Sequence, residues 1–158
     1  MAGEGDPVPE VTLQMGDGSA MPLSQLKLPL VLYFYPKDDT PGCTAEAKDF
    51  SELAGAFERE GISLLGVSRN SPKDHAKFTA KYDLRVPLAT DADGSLTEAF
   101  GVWVEKSMYG RKYMGIERAT FLIDSDGRIA RAWRKVSVPG HAAEVLAAAR
   151  ALQPGAPF

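Results

Sequence analysis

Cys43 is the only cysteine among 158 residues, and it stands in a local sequence suited to a nucleophile. It closes the run Pro36-Lys37-Asp38-Asp39-Thr40-Pro41-Gly42-Cys43: an apolar strand-like stretch ends, a polar turn comes next, and a helix begins. Cys43 then falls in the first helical turn. The first N–H groups of a helix have no partner inside it and its dipole is positive there, so both favour a thiolate over a thiol. Gly42 removes a side chain beside the sulfur, which lets a small substrate reach the backbone, and Thr40 adds a hydroxyl at the helix entrance. The position also matches the rule that α/β sheets bind ligands beyond the carboxyl ends of their strands. Position alone leaves a second reading open, in which Cys43 is a buried filler and Thr40 only an N-cap.

The elements that must carry this turn are set by apolar spacing. Leu30 to Tyr35 is a near-continuous apolar and aromatic run, the mark of a strand buried on both faces. Beyond the loop, Ala47, Phe50, Leu53, Ala54 and Phe57 recur at helical spacing. Gly61 to Ser68 reads as a second buried strand, and Pro72 opens a helix running to about Tyr82. Upstream, alternating Val11 and Leu13 with the turn Gly16-Asp17-Gly18 predict a short hairpin. Downstream, Thr97 to Phe100 suggests a short helix, and Ala119 to Asp124 with Arg128 to Trp133 predicts a hairpin turning at Asp124-Ser125-Asp126-Gly127. An Ala- and Leu-rich helix over about Gly140 to Leu152 closes the pattern. The expected fold is α/β: a thioredoxin-like sandwich with a central mixed β-sheet flanked by helices. One domain over residues 1–158 is expected, with frayed ends at 1–4 and 153–158.

Composition narrows the function classes. A net charge of -3 with dispersed basic residues gives no reason to expect nucleic acid. Arg128, Arg131, Arg134 and Lys135 cluster in a strand-like stretch and read as a solvated edge. No apolar run is long enough for a bilayer, and the N-terminus has neither the basic nor the apolar region of a secretion signal. A lone cysteine excludes an internal disulfide framework and a paired-thiolate metal site, and it fits a reducing, cytoplasmic setting. His75 and His141 lie far apart without acidic or cysteine ligand spacing, so helix-surface or capping roles are expected of them. Tyr33, Phe34 and Tyr35 are expected in the sheet core.

Residues 31–44, Val-Leu-Tyr-Phe-Tyr-Pro-Lys-Asp-Asp-Thr-Pro-Gly-Cys-Thr, resemble the active-site segment of the bacterioferritin comigratory protein group of peroxiredoxins, also called peroxiredoxin Q. Pro36, Thr40 and Cys43 match the general peroxiredoxin pattern Pro-x-x-x-Thr-x-x-Cys. A second block is similar in the same way, from Gly101-Val102-Trp103 through Met108-Tyr109-Gly110 to Gly115-Ile116-Glu117-Arg118 and on to Asp124. The likeness runs from Gly5-Asp6 to the helix after His141. It implies a thiol peroxidase in which Cys43 attacks a hydroperoxide and becomes a sulfenic acid, with no metal or organic cofactor. By the same resemblance, Arg118 is the active-site arginine that holds the thiolate and orients the peroxide. Thr40 and the N–H groups of Gly42 and Cys43 bind the peroxide oxygens, and Pro36 shields the thiolate from water. Glu46, one turn past Cys43, orients Arg118, or is an ordinary first-turn acid.

The chain departs from many members of that group at the resolving cysteine. Lys48 occupies the place five residues after Cys43, and Thr79 occupies the place in the next helix where others carry it. The resemblance therefore implies a one-cysteine variant reduced by an external thiol such as thioredoxin, glutaredoxin or glutathione, in a monomer or weak dimer. The rival reading is a redox sensor or adaptor that passes oxidation from Cys43 to a partner protein. A thioredoxin-like electron carrier is disfavoured because Cys-x-x-Cys is absent. Trp103, Met108 and Tyr109 sit in a loop-like stretch that the resemblance puts near the site mouth, where they would either favour larger hydroperoxides or anchor the loop.

Overall fold

The computed structural model describes residues 2–152, and the last six residues lie outside the described set with the expectation made for them. Its frame is a seven-stranded mixed sheet. In chain order the strands are β1 (Thr12–Met15), β2 (Ala20–Pro22), β3 (Leu30–Phe34), β4 (Ser63–Ser68), β5 (Leu88–Thr90), β6 (Trp103–Met108), β7 (Arg111–Ile116), β8 (Ala119–Ile123) and β9 (Ile129–Arg134). The sheet order is β2-β1-β5-β4-β3-β8-β9, and β6 and β7 form a separate two-stranded sheet. The helices are α1 (Pro41–Glu52), α2 (Ala54–Arg59), α3 (Pro72–Tyr82), α4 (Ser95–Ala99) and α5 (His141–Ala151).

The apolar run at Leu30 takes the central place its composition demands. Each residue of β3 is buried, with β4 parallel on one side and β8 antiparallel on the other. Alternation along β3 splits the core. Val31, Tyr33 and Tyr35 face Phe50, Phe57, Phe78, Val145 and Leu146, beneath α1, α2, α3 and α5. Leu30, Leu32 and Phe34 face Phe100, Val102, Ile116 and Phe121, beneath α4 and the base of the β6–β7 arm. A fully buried strand with helices on both faces is the sandwich expected from the sequence.

Local structure departs from expectation at four places. Residues 2–4 are tied down rather than frayed: the Ala2 N–H donates to the Ala99 carbonyl at 2.8 Å, and the Gly3 N–H to the Asp6 carboxylate at 2.9 Å. The helical spacing after Cys43 is split at Leu53, just past Ser51, whose hydroxyl accepts main-chain N–H groups from Arg85 and Val86. β5 lacks a signal in the sequence, being three residues long and without alternation. The stretch from Trp103 to Ile116 is a hairpin rather than a loop, closed at Tyr109 and Gly110 with φ of 52° and 78°. Two successive left-handed residues are what the right-handed twist of a two-residue hairpin requires, and Tyr-Gly signals it less plainly than Asn-Gly.

Candidate active site

The chain leaving β3 reaches Pro36, which is half-buried, then turns through Asp39 in the left-handed region (φ 59°) and enters α1 at Pro41. Thr40 is the N-cap residue with extended backbone angles, but its hydroxyl does not cap the helix. It donates instead to the Lys37 carbonyl at 2.9 Å, which leaves its oxygen lone pairs free to accept. Among the described residues, the N–H groups of Gly42 and Cys43 meet no acceptor, as expected for a first turn. Cys43 is 2% exposed.

The antiparallel register puts Ala119 opposite Phe34, so Arg118 arrives beside the point where the chain leaves β3. The Arg118 carbonyl accepts from the Val136 N–H at 3.0 Å, which pins the backbone there. Its guanidinium forks: Nη2 donates to the Cys43 Sγ at 3.4 Å and Nη1 to the Glu46 Oε1 at 2.6 Å. Gly42 leaves room for this guanidinium: a methyl group on it would stand 3.1 Å from Nη2, a tight contact that would press on the arginine. The structure thus brings together Cys43, Arg118, Glu46 and Gly42, with Thr40 at the helix entrance and Pro36 at the strand exit.

The electrostatics are set by burial and pairing. Burial opposes charge on Arg118, but Glu46 and Cys43 outweigh it and raise the group above the ordinary arginine value. Glu46 is nearly inaccessible; burial prevails over the Arg118 charge and pushes its carboxyl up to about 7. Tyr33, beneath α1, is raised well above the usual phenol value, first by burial and then by the charges of Glu46 and Cys43.

Four residues around the site and its β6–β7 arm take places that are not legible in the sequence. Lys106 of β6 is held below the ordinary lysine value by burial and by the Arg118 charge, so the β6–β7 arm brings a second cation near the thiol. Neither histidine lies on a helix surface. His75 bonds to Asp38 and the Ala89 carbonyl, and His141 to the Thr120 hydroxyl at 2.8 Å. Both rings are buried because α3 and α5 turn those positions onto the sheet, which the absence of a metal-ligand spacing could not reveal. Trp103 anchors the arm, with the Arg69 guanidinium 3.4 Å from the ring centre, whereas Tyr109 at the tip is 99% exposed.

Residues 4–132 match the AhpC/TSA family. The chain belongs to that family. It is a thiol-dependent peroxidase, a peroxiredoxin whose described sheet and helices agree with those of solved relatives. Peroxiredoxin Bcp of Xanthomonas campestris is 53% identical over 122 residues, which span 77% of this chain and 76% of that one. A mutant PrxQ of Xylella fastidiosa superimposes with a TM-score of 0.89 at 44% identity, covering 96% of this chain and 97% of that one. The Xanthomonas campestris bacterioferritin comigratory protein, solved as trapped intermediate and ligand complexes bearing on its alkyl peroxide reduction activity, gives a TM-score of 0.86 at 46% identity. There the coverage is 91% of each chain. The peroxiredoxin reading makes a hydroperoxide the substrate and a thiol the reductant.

Proposed function

We propose that this peroxiredoxin works as one domain that reduces hydrogen peroxide and organic hydroperoxides at Cys43 and is recycled by an external thiol. The observation that carries the reading is the Arg118 Nη2 to Cys43 Sγ contact at 3.4 Å, at a helix start with two unpaired N–H groups. A fixed cation and helix-end donors thus converge on one sulfur, where they can meet the charge that develops on the peroxide oxygens. The Cys43 Sγ attacks the distal peroxide oxygen, the O–O bond breaks, and the electron pair leaves with the proximal oxygen, which takes a proton to become water or alcohol. Cys43 is left as sulfenic acid. A thiol then attacks its sulfur with loss of water, and a second thiol displaces the mixed disulfide and regenerates Cys43. Thr40 accepts from the incoming peroxide O–H, the Gly42 and Cys43 N–H groups and Arg118 donate to the oxygens, and Glu46 holds Arg118. Pro36 walls the strand side. Reduction of organic substrates is supported by the alkyl peroxide activity of the Xanthomonas campestris relative.

Cys43→Ser and Arg118→Met test the assignment. Cys43→Ser should abolish peroxide consumption. Arg118→Met should slow single-turnover oxidation by roughly a hundredfold, the scale of losing one preorganised donor, with the fold retained. Wild-type rates in the arginine variant would show that the wrong cation has been placed at the sulfur.

A further inference from the structure

Beside the reacting groups lies a buried polar cluster that the mechanism does not use. Asp38, in the turn before Cys43, points into the protein, and its side chain is 6% exposed. Its Oδ1 accepts from the Tyr35 hydroxyl at 2.5 Å, and its Oδ2 lies 2.7 Å from His75 Nδ1 on α3. His75 Nδ1 is also 3.2 Å from the Tyr35 hydroxyl. The other ring nitrogen, Nε2, faces the Ala89 carbonyl of β5 at 3.1 Å. A carbonyl can only accept, so Nε2 carries a proton. A bare carboxylate oxygen against a bare Nδ1 lone pair would repel, so a second proton lies between Asp38 and His75. The cluster is therefore satisfied as a net-neutral pair. The Asp38 N–H donates to Asn70 Oδ1 at 3.0 Å, completing the hold on this residue.

We propose that Asp38 is a positioning residue for peroxide attack, fixed by His75 and Tyr35. This rests on the reading of Cys43 and Thr40 given above. The link is short. Asp38 adjoins Lys37, whose carbonyl accepts the Thr40 hydroxyl and so sets which way the threonine lone pairs face. The backbone from Asp38 to Thr40 also sets the angle at which α1 presents the Gly42 and Cys43 N–H groups. Asp39, next in the chain, makes an exposed counterpart with Lys81 and Tyr82, whose worth in water is small. The buried pair is the one that decides the geometry.

Substitution separates positioning from charge. In Asp38→Asn the amide can accept from Tyr35 and donate to a neutral ring that keeps its Nε2 proton, so the bonds survive without the charge. Asp38→Ala removes them. Cys43 oxidation by hydrogen peroxide would be followed in a single turnover, by competition with a haem peroxidase, alongside Cys43 alkylation by iodoacetamide, which does not use the peroxide-binding groups. Asp38→Asn should react within about threefold of wild type, and Asp38→Ala roughly ten- to a hundredfold more slowly, the scale of a small misplacement at a reacting centre. Alkylation should change far less. If Asp38→Ala does not fold by circular dichroism, Tyr35→Phe/Asp38→Leu/His75→Leu, which leaves no buried charge unpaired, takes its place with the same expectation. The proposal is overturned if the folded variant reacts with peroxide at the wild-type rate, if Asp38→Asn is as slow as Asp38→Ala, or if peroxide and alkylation rates fall together. Peroxide consumption that persisted in Cys43→Ser would instead refute the reading of the site beneath it.

Discussion

Glu46 shows how one side chain ties catalysis to stability. Its carboxyl is buried against Arg118 and raised from about 4.5 to about 7. Between those values the folded chain keeps a proton that the unfolded chain has released, so this group makes stability fall as pH rises through the window. The full effect is at most about 3 kcal/mol, with the pairing to Arg118 already set against the burial. Glu46→Gln keeps an acceptor for Arg118 and removes the titration. Urea unfolding from pH 5 to 8 should show the variant gaining on wild type as pH rises to about 7 and levelling off above it. Parallel curves would mean that Glu46 is ionised throughout and that its pairing outweighs its burial.

At the scale of elements, α1 is seated by the strand beneath it. Tyr33 of β3 stacks on Phe50 of α1 with ring centres 4.6 Å apart, and Gly66 of β4 stands opposite Tyr33 in register. A methyl group on Gly66 would lie 2.6 Å from Tyr33 Cζ and 2.9 Å from Leu88 Cδ2. Removing a strand glycine ordinarily gains about 0.5–1 kcal/mol. Here overpacking of a fully buried ring costs about 1–3 kcal/mol, so the clash prevails. Gly66→Ala should therefore lower the urea midpoint and, by displacing Tyr33 and Phe50, disturb the start of α1. An unchanged or raised midpoint would show that the ring has room to move.

The whole chain holds one thiol, and that count governs the fate of the oxidised site. Lys48 is exposed on α1 and Thr79 is half-buried on α3, so neither expected resolving position offers sulfur. With Cys43 only 2% exposed, a bond between two copies requires the start of α1 to open. Intact mass after one equivalent of peroxide should show a monomer with one added oxygen, and excess peroxide without thiol should carry Cys43 on to sulfinic and sulfonic acids. Accumulation of a disulfide-linked dimer before any overoxidation would replace the external thiol with a second copy of the chain.

Much of the molecule was legible in the sequence. The apolar run at β3, the polar turn and the cysteine at a helix start are local patterns, and their physics does not depend on distant residues. That is why the sandwich could be read directly and why Cys43, Thr40 and Gly42 could be placed at a helix entrance, while the choice between nucleophile and core filler needed the likeness to a family. Arg118 could be named only by likeness to a family, because nothing in its own neighbourhood says that it meets a sulfur 75 positions earlier. The hairpin from Trp103 to Ile116 was hidden for a related reason: its closing turn is Tyr-Gly, and the tryptophan at its base packs against Arg69, which lies far away in sequence. In sequence Asp38 is one residue of a polar turn, and His75 reads as a helix-surface or capping histidine. Only the tertiary fold, by bringing α3 and β5 against the turn, takes both out of water, and there a polar group must find a partner.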